Sequence, residues 1–186
     1  MDVLEAIKSR RSYRNFDVNY EIPEEDLQKI IEVVLSSPTA CNYQDIDLLV
    51  VTNKQKIDEA TKIIFDSWDK NMQDSFNKRI QEYGCKNVIT GDATCVIFLV
   101  ENERATDPLF KDIDAGIISM SIMASVRVFG LDTLCLGSLL WGNTKGLEQY
   151  LGIGEGKLRM AVAIGKSRDR SKVGQKEQLC KATYIK

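Results

Sequence analysis

The chain has 186 residues, of which 44% are hydrophobic, and a formal net charge of −2. This length and apolar content predict a single domain, residues 1–186, with a core of its own. Charged residues of both signs make up 28% of the sequence, so no basic surface that would attract nucleic acid is predicted. The sequence contains no histidine, which excludes Ser-His-Asp and Cys-His catalysis, acid–base catalysis by imidazole and the usual zinc sites.

The sequence shows no pattern typical of a secretory signal or a membrane span. Acidic residues fall inside the first helical pattern, and serines and an arginine interrupt the longest apolar run, residues 113–129. We therefore expect a cytoplasmic protein without membrane contact. The five cysteines lack a C-x-x-C spacing, so they are expected to be reduced and mostly buried, and no metal site is predicted. An enzyme with this composition would depend on a cofactor for its chemistry.

Hydrophobic periodicity and capping residues predict the elements in chain order. Asp2 and Glu5 form an acidic variant of a capping box before the first helix, and Pro23 begins a second helix that ends near Pro38. Apolar patterns then predict strands at residues 46–52, 94–100, 131–141 and 158–165, and helices at 57–68, 72–83, 112–129 and 144–151. The polar tail from about residue 166 either frays or lies across a partner.

A basic loop follows the first helix. Arg10, Arg11 and Arg14 place three guanidinium groups within five residues, and Ser12 adds a hydroxyl. Arginine suits bidentate recognition of phosphate, so this loop is a candidate phosphate site. On composition alone, a solvated charged corner is an equally good interpretation.

Two further segments could contact a ligand. Pro38–Gln44 connects a helix to a strand and is rich in neutral hydrogen-bonding groups that could bind the edge of a planar heterocycle, although an ordinary loop is the commoner explanation. Cys135–Gly137 places a glycine in an apolar run, where a ligand could approach the backbone or a simple bulge could form. The glycines at 152, 154 and 156 lie between a helix and a strand, and this order predicts a turn rather than a dinucleotide loop.

In combination these segments resemble the motifs of the nitroreductase family. That family has R-R-S-x-R near the N-terminus, P-[ST]-A-x-N-x-Q after the second helix, D-x-G in a long helix, then G-L and C-x-G. The corresponding residues here are Arg10–Arg14, Pro38–Gln44, Asp114–Gly116, Gly130–Leu131 and Cys135–Gly137. The order, spacing and predicted elements agree over nearly the whole chain. Asp45-Ile46 and Lys166-Ser167 replace the family's Pro-Trp and aromatic-Pro pairs.

The resemblance implies an α+β fold with a central, mostly antiparallel sheet flanked by helices. It also implies an intertwined homodimer with FMN at the interface, in which the tail from about residue 166 packs on the partner subunit. The implied activity is transfer of hydride from NADH or NADPH to electron-poor small-molecule acceptors such as nitroaromatics or quinones, by a ping-pong mechanism that needs no catalytic side chain.

The resemblance also implies which residues bind the cofactor. Those expected at the phosphate, the ribityl chain and the N1/O2 side of the flavin are Arg10, Arg11, Ser12 and Arg14. Those expected from the other subunit are Pro38, Thr39, Ala40, Asn42 and Gln44. Leu136 and Gly137 would present backbone near flavin N5, and Lys166 or Arg168 would close over the phosphate.

Three other functions remain open on the sequence. The chain could be a flavin store or redox sensor without catalysis, or a specialised reductase or dehalogenase of the same fold. It could also be an interaction domain whose arginine loop binds an acidic partner. The residues that could cover a substrate are Trp68, Met72, Phe76 and Tyr83, although core packing is favoured for at least two of them.

Overall fold

The computed structural model describes residues 1–105, 107–174 and 176–185. Its six α-helices are α1 (Val3–Ser9), α2 (Glu24–Leu35), α3 (Lys54–Ser67), α4 (Lys70–Tyr83), α5 (Phe110–Val128) and α6 (Thr144–Leu151). Its four strands are β1 (Ile46–Val51), β2 (Cys95–Glu101), β3 (Asp132–Cys135) and β4 (Leu158–Gly165). These elements match the predicted order, and the predicted boundaries of α6 and β4 agree with the structure.

The strands form one antiparallel sheet in the order β1-β2-β4-β3. At one end of the sheet β1 begins, with Ile46 paired to Glu101, and β4 also begins there; we call this the lower end. At the other end, the upper end, β2 begins and Gly165 of β4 pairs with Asp132 of β3. The predicted α+β fold with an antiparallel sheet is therefore confirmed.

Helices cover both faces of the sheet. Because side chains alternate along a strand, Phe98 of β2 packs into a cluster with Ile57 and Ile64 of α3, whereas Ile97 packs into a cluster with Ile122 of α5. All five of these side chains are essentially inaccessible to solvent. The sheet thus has a packed core on each side, as expected for apolar strands without alternation.

Capping side chains and turns fix the ends of several helices. Asp2 accepts a hydrogen bond from the Glu5 backbone N–H (2.9 Å) at the start of α1, and Pro23 precedes α2, as predicted. The predicted turn after α6 is confirmed, because Gly152 ends that helix in the left-handed region with φ 73°.

Two predictions from the sequence are wrong in part. The strand predicted for residues 131–141 ends at Cys135, and Gly137–Leu140 forms a 3₁₀ turn instead. The reason is that Leu136 makes a last ladder bond, from its N–H to the carbonyl of Ala161 (2.8 Å), and the chain then turns away. The cysteines are all free, but Cys41 and Cys180 are exposed, so the thiols are not mostly buried.

One face of α5 is packed and the other is open. Ile118, Ile122 and Val126 are buried against the sheet, whereas Ile113 and Val128 on the opposite side are at least half exposed. Packing against the sheet accounts for the apolar residues on the buried face only. In the described part of the chain, no helix has the length and apolar character needed to cross a bilayer.

Candidate functional site

The basic loop after α1 lies at the upper end of the sheet. The Tyr13 backbone N–H donates to the Thr133 carbonyl (3.0 Å), which places the loop beside the start of β3. Further along, Asp17 N–H donates to the Lys166 carbonyl (2.8 Å), and Arg168 N–H donates to the Asn15 carbonyl (2.9 Å). The fold therefore brings the predicted C-terminal cations to the predicted phosphate loop.

No carboxylate neutralises the arginines of the basic loop. Within the described residues, Arg10, Arg11 and Arg14 form no ion pair, and Arg10 forms no side-chain hydrogen bond either. Arg11 donates to the carbonyls of Lys8 (2.7 Å) and Arg10 (2.8 Å) and so caps the end of α1. Arg14 donates to the Ser12 carbonyl (3.2 Å). Of the three, Arg10 and Arg14 are thus the better placed to bind an anion.

The two C-terminal candidates also lack acidic partners in the part of the chain that the structure describes. The Lys166 ammonium lies 5.1 Å from the centre of the Tyr20 ring. The Arg168 guanidinium donates to the Gly84 carbonyl (2.9 Å) at the end of α4. Lys166 is therefore free to reach a phosphate, whereas Arg168 would have to share its guanidinium with α4.

A second set of arginines nearby is paired with a carboxylate. Asp132, at the start of β3, is buried and binds the buried guanidinium of Arg127. It also accepts from Nε of Arg170 (3.0 Å) and from the backbone N–H of Ser167 (3.3 Å). This carboxylate joins α5, the sheet and the start of the C-terminal tail, and so holds the tail at the upper end.

The backbone at Gly137 is open to a ligand. The Leu136 side chain is buried in the core, but a Cβ added at Gly137 would have no heavy atom within 4 Å. This geometry fits a planar group placed against the backbone after β3. Burial raises the pKa of the neighbouring Cys135 thiol, although the Arg10 charge opposes the shift, so this thiol is not an activated nucleophile.

The Pro38–Gln44 segment lies at the lower end. Its Ala40 N–H donates to both carboxylate oxygens of buried Asp114 (3.1 and 3.0 Å), and Gln44 N–H donates to the Thr39 hydroxyl (3.0 Å). Cys41, Asn42 and Gln44 adopt positive φ angles, a region that non-glycine residues seldom occupy. Side-chain and backbone bonds therefore hold an unusual loop conformation that exposes Asn42 and Gln44.

Within one subunit, the basic loop and the Pro38–Gln44 segment lie at opposite ends of the sheet. The eight residues of β4 run from the lower to the upper end, a distance of about 23 Å at the usual rise per residue. A ligand bound at the basic loop of one subunit is thus remote from that subunit's own Pro38–Gln44 segment.

Two residues near the site had no role predicted from the sequence. Asp114 belongs to the D-x-G motif, and an acidic residue on the buried face of an apolar helix is the signal that could have revealed its structural role. Arg79 lies 3.8 Å above the Phe76 ring and donates to the Val88 carbonyl (2.8 Å). Burial and the nearby charge of Arg14 lower the pKa of Arg79. No sequence pattern indicated this proximity.

The candidate substrate cover is mostly core. Trp68 and Phe76 are buried with their ring centres 4.5 Å apart, which confirms that at least two of the four residues pack in the core. Tyr83 lies below the Arg14 guanidinium, 5.9 Å from ring centre to Cζ. A separate cavity of about 580 Å³ lies between α3 and residues 86–89, and none of the predicted site residues line it.

Comparison with known proteins identifies the family. The sequence model of the nitroreductase family matches residues 7–166. The chain belongs to the nitroreductase family. A relative from Lactiplantibacillus plantarum, named as an enone reductase of CLA biosynthesis, is 27% identical over 89% of this chain and 86% of its own length. The predicted family and the predicted enzyme class, an oxidoreductase, are therefore confirmed.

Solved structures of nitroreductases share the fold. A nitroreductase from Desulfitobacterium hafniense, crystallised with bound FMN, superposes with a TM-score of 0.75 at 24% identity and covers 100% of both chains. The FMN-dependent nitroreductase NfnB from Mycobacterium smegmatis, in complex with NADPH, superposes with a TM-score of 0.72 at 18% identity over 97% of both chains. At these identities the similarity supports the nitroreductase fold of the chain.

Proposed function

We propose that this nitroreductase-family chain binds FMN between two subunits and transfers hydride from NADH or NADPH to an electron-poor acceptor by a ping-pong mechanism. The observation that carries the proposal is the group of upper-end cations without a carboxylate partner among the described residues, Arg10, Arg14 and Lys166, together with the open backbone of Gly137. Gly137 follows β3, which runs from the upper end toward the lower end. Unpaired cations at the start of this strand and an open backbone after it fit a ligand that combines a phosphate with a planar ring.

The residues of the upper end would hold most of the cofactor. Arg10, Arg11, Ser12 and Arg14 would contact the phosphate, the ribityl chain and the N1/O2 side of the flavin. Lys166 or Arg168 would close over the phosphate, and the backbone of Leu136 and Gly137, after β3, would lie near N5. A nitroreductase with a similar fold was crystallised with bound FMN, which supports this choice of cofactor.

A second copy of the chain would complete the site. Val3 and Leu4 of α1 are each 64% exposed, α1 packs against α5, and Ile113 and Val128 on the open face of α5 are also at least half exposed. Large apolar side chains exposed on two helices that pack together fit a protein–protein interface. Covering it with a second subunit would bring the partner's lower end, with Pro38, Thr39, Ala40, Asn42 and Gln44, to the flavin. The start of the tail packs on its own chain, through Ser167 and Arg170 on Asp132, so the part that would pack on the partner is residues 176–185, which are exposed.

Bound FMN supplies hydride transfer at N5, and the protein supplies binding and charge. Arg14 would stabilise the negative charge that reduction places at the N1/O2 side of the ring. Ser12 and the backbone of Gly137 would orient the ring, and the transfer needs no acid–base side chain of the protein.

Anaerobic spectroscopy tests the proposal. NADH or NADPH alone should bleach the flavin band of the holoprotein, and an acceptor added afterwards should restore it, because a ping-pong cycle separates the two half-reactions. A flavin that neither nucleotide bleaches would refute catalysis and leave a flavin store or sensor.

The acceptor class needs a panel of compounds. We expect turnover with nitroaromatics and quinones, and the enone reductase among the relatives adds an α,β-unsaturated ketone to the panel.

The shared site is tested by the oligomeric state. Size-exclusion chromatography with light scattering should give twice the chain mass. A monomer that binds FMN with full affinity would contradict the shared site.

A further inference from the structure

We infer that Gly91 is a positioning residue for FMN binding, because it allows the Arg14 backbone to lie where the guanidinium reaches the flavin. The inference rests on the proposed FMN site. It assigns a role in flavin binding to the loop of residues 86–92, which precedes β2 and contains none of the residues of the family motifs described above.

Gly91 makes a backbone contact with Arg14 that only glycine permits. A Cβ on Gly91 would lie 2.6 Å from both Cα and the carbonyl carbon of Arg14 and 2.9 Å from its carbonyl oxygen. Carbon atoms that are not bonded to one another approach to about 3.5–4.0 Å, so the two backbones would have to separate by about 1 Å. Gly91 also has φ 66°, in the left-handed region.

The 86–92 loop is held firmly, so part of the displacement has to be taken up at Arg14. The buried carboxylate of Asp92 accepts from the backbone N–H groups of Lys86 (2.9 Å) and Asn87 (2.7 Å). The Asn87 amide donates to Asp58 and Thr61 of α3, which anchors the loop to the neighbouring helix.

The backbone on either side of Arg14 is hydrogen-bonded at Tyr13 and Asn15, but the Arg14 side chain itself is weakly held. The Arg14 guanidinium makes one hydrogen bond, to the Ser12 carbonyl, and lies over the Tyr83 ring. The Phe16 N–H donates to the Gly91 carbonyl (2.8 Å), so the loops stay in contact beyond Arg14. A side chain at residue 91 would therefore move Arg14 without separating the two loops completely.

The test compares Gly91→Ala with Gly152→Ala. Both glycines have a left-handed backbone, but a Cβ at Gly152 meets no heavy atom within 4 Å, so the control has the backbone strain without the collision. Misplacing a binding group by about 1 Å can cost about 100-fold, and we expect Gly91→Ala to bind FMN about 10- to 100-fold more weakly than Gly152→Ala. The midpoint potential of the bound flavin should become more negative, as it should in Arg14→Ala.

Combining the substitutions shows whether Gly91 acts through Arg14. In the double variant Gly91→Ala, Arg14→Ala, the effects on affinity and potential should be clearly smaller than the sum of the single effects. Gly91→Asn provides a second variant, because Asn tolerates the left-handed region better than alanine and keeps the collision.

Each outcome decides the inference. A wild-type chain that binds no FMN would overturn the proposed function together with this inference. If the wild type binds FMN, then affinity and potential of Gly91→Ala equal to those of Gly152→Ala would overturn the inference alone. Failure of both Gly91 variants to fold would also overturn it, because the collision would then disrupt the core rather than move Arg14.

Discussion

Two groups of arginines lie side by side at the upper end of the sheet and differ in what neutralises them. Arg127 and Arg170 share the buried carboxylate of Asp132. Arg10 and Arg14, one loop away, have no carboxylate partner among the described residues. The first group joins elements of the fold, whereas the charge of the second is left for a ligand. Unpaired charge, more than position at the end of the sheet, therefore distinguishes the candidate ligand site.

The largest expected effect is loss of FMN when Arg10 and Arg14 are both changed to alanine. Two hydrogen bonds to charged groups contribute about 3–6 kcal/mol, so affinity should fall by at least about 100-fold while the apoprotein stays folded. Fluorescence titration with FMN measures the affinity, and Arg104→Ala, an exposed arginine, is the control. Stoichiometric flavin retained in the double variant would refute the phosphate assignment.

Substitutions in the paired group, Arg127, Arg170 and Asp132, should instead change the stability of the fold. Asp132→Ala leaves the buried Arg127 guanidinium without its carboxylate, which should lower the free energy of unfolding of the apoprotein by about 3–5 kcal/mol. Urea unfolding measures this change. Replacing the pair together, with Arg127→Met and Asp132→Leu, should recover much of the loss. A loss below about 1 kcal/mol for Asp132→Ala would show that the pair behaves like an exposed one.

The lower end should give a smaller effect on FMN. Asp114→Ala removes the acceptor of the Ala40 N–H, so the Pro38–Gln44 segment should lose its conformation and FMN affinity should fall by about 1–2 kcal/mol. Asp112→Ala, at an exposed position on the same helix, should leave the affinity unchanged. Equal affinities in the two variants would mean that the segment does not contribute to the flavin site.

The smallest expected effect is a pH dependence at Asp45. Burial raises the pKa of this carboxyl, and the charges of Asp114 and Glu101 raise it further. A raised pKa in the folded state means that stability is lost as pH rises above the ordinary value of about 3.9 and through the folded pKa. Asp45→Asn should therefore raise the thermal midpoint at neutral pH, with a gain that disappears in acid. A gain independent of pH would contradict this assignment.

Much of the fold could be predicted because its signals are local. Capping at Asp2, the proline before α2 and the apolar runs of β2 and β4 each depend on a few neighbouring residues. The strand after α5 was predicted too long because an apolar run continues through Gly137, and periodicity does not show that the chain turns there.

The site was less predictable because it depends on contacts between distant residues. The motifs identified the basic loop, but pairing of Asp17 with Lys166 requires the complete sheet. The role of Asp114 depends on where the Ala40 N–H points, and Gly91 depends on a contact with Arg14 that no local pattern contains. These contacts follow from how the helices and loops pack against the sheet.

The central claim is that the unpaired cations of the upper end bind FMN. The visible absorbance spectrum of the purified protein, followed by quantification of the flavin released on denaturation, tests it most directly. If these cations bind FMN, the protein should show a flavin spectrum and release about one FMN per chain, because each basic loop binds one phosphate. A colourless protein that takes up no FMN from an excess of added FMN would contradict FMN binding at the upper end.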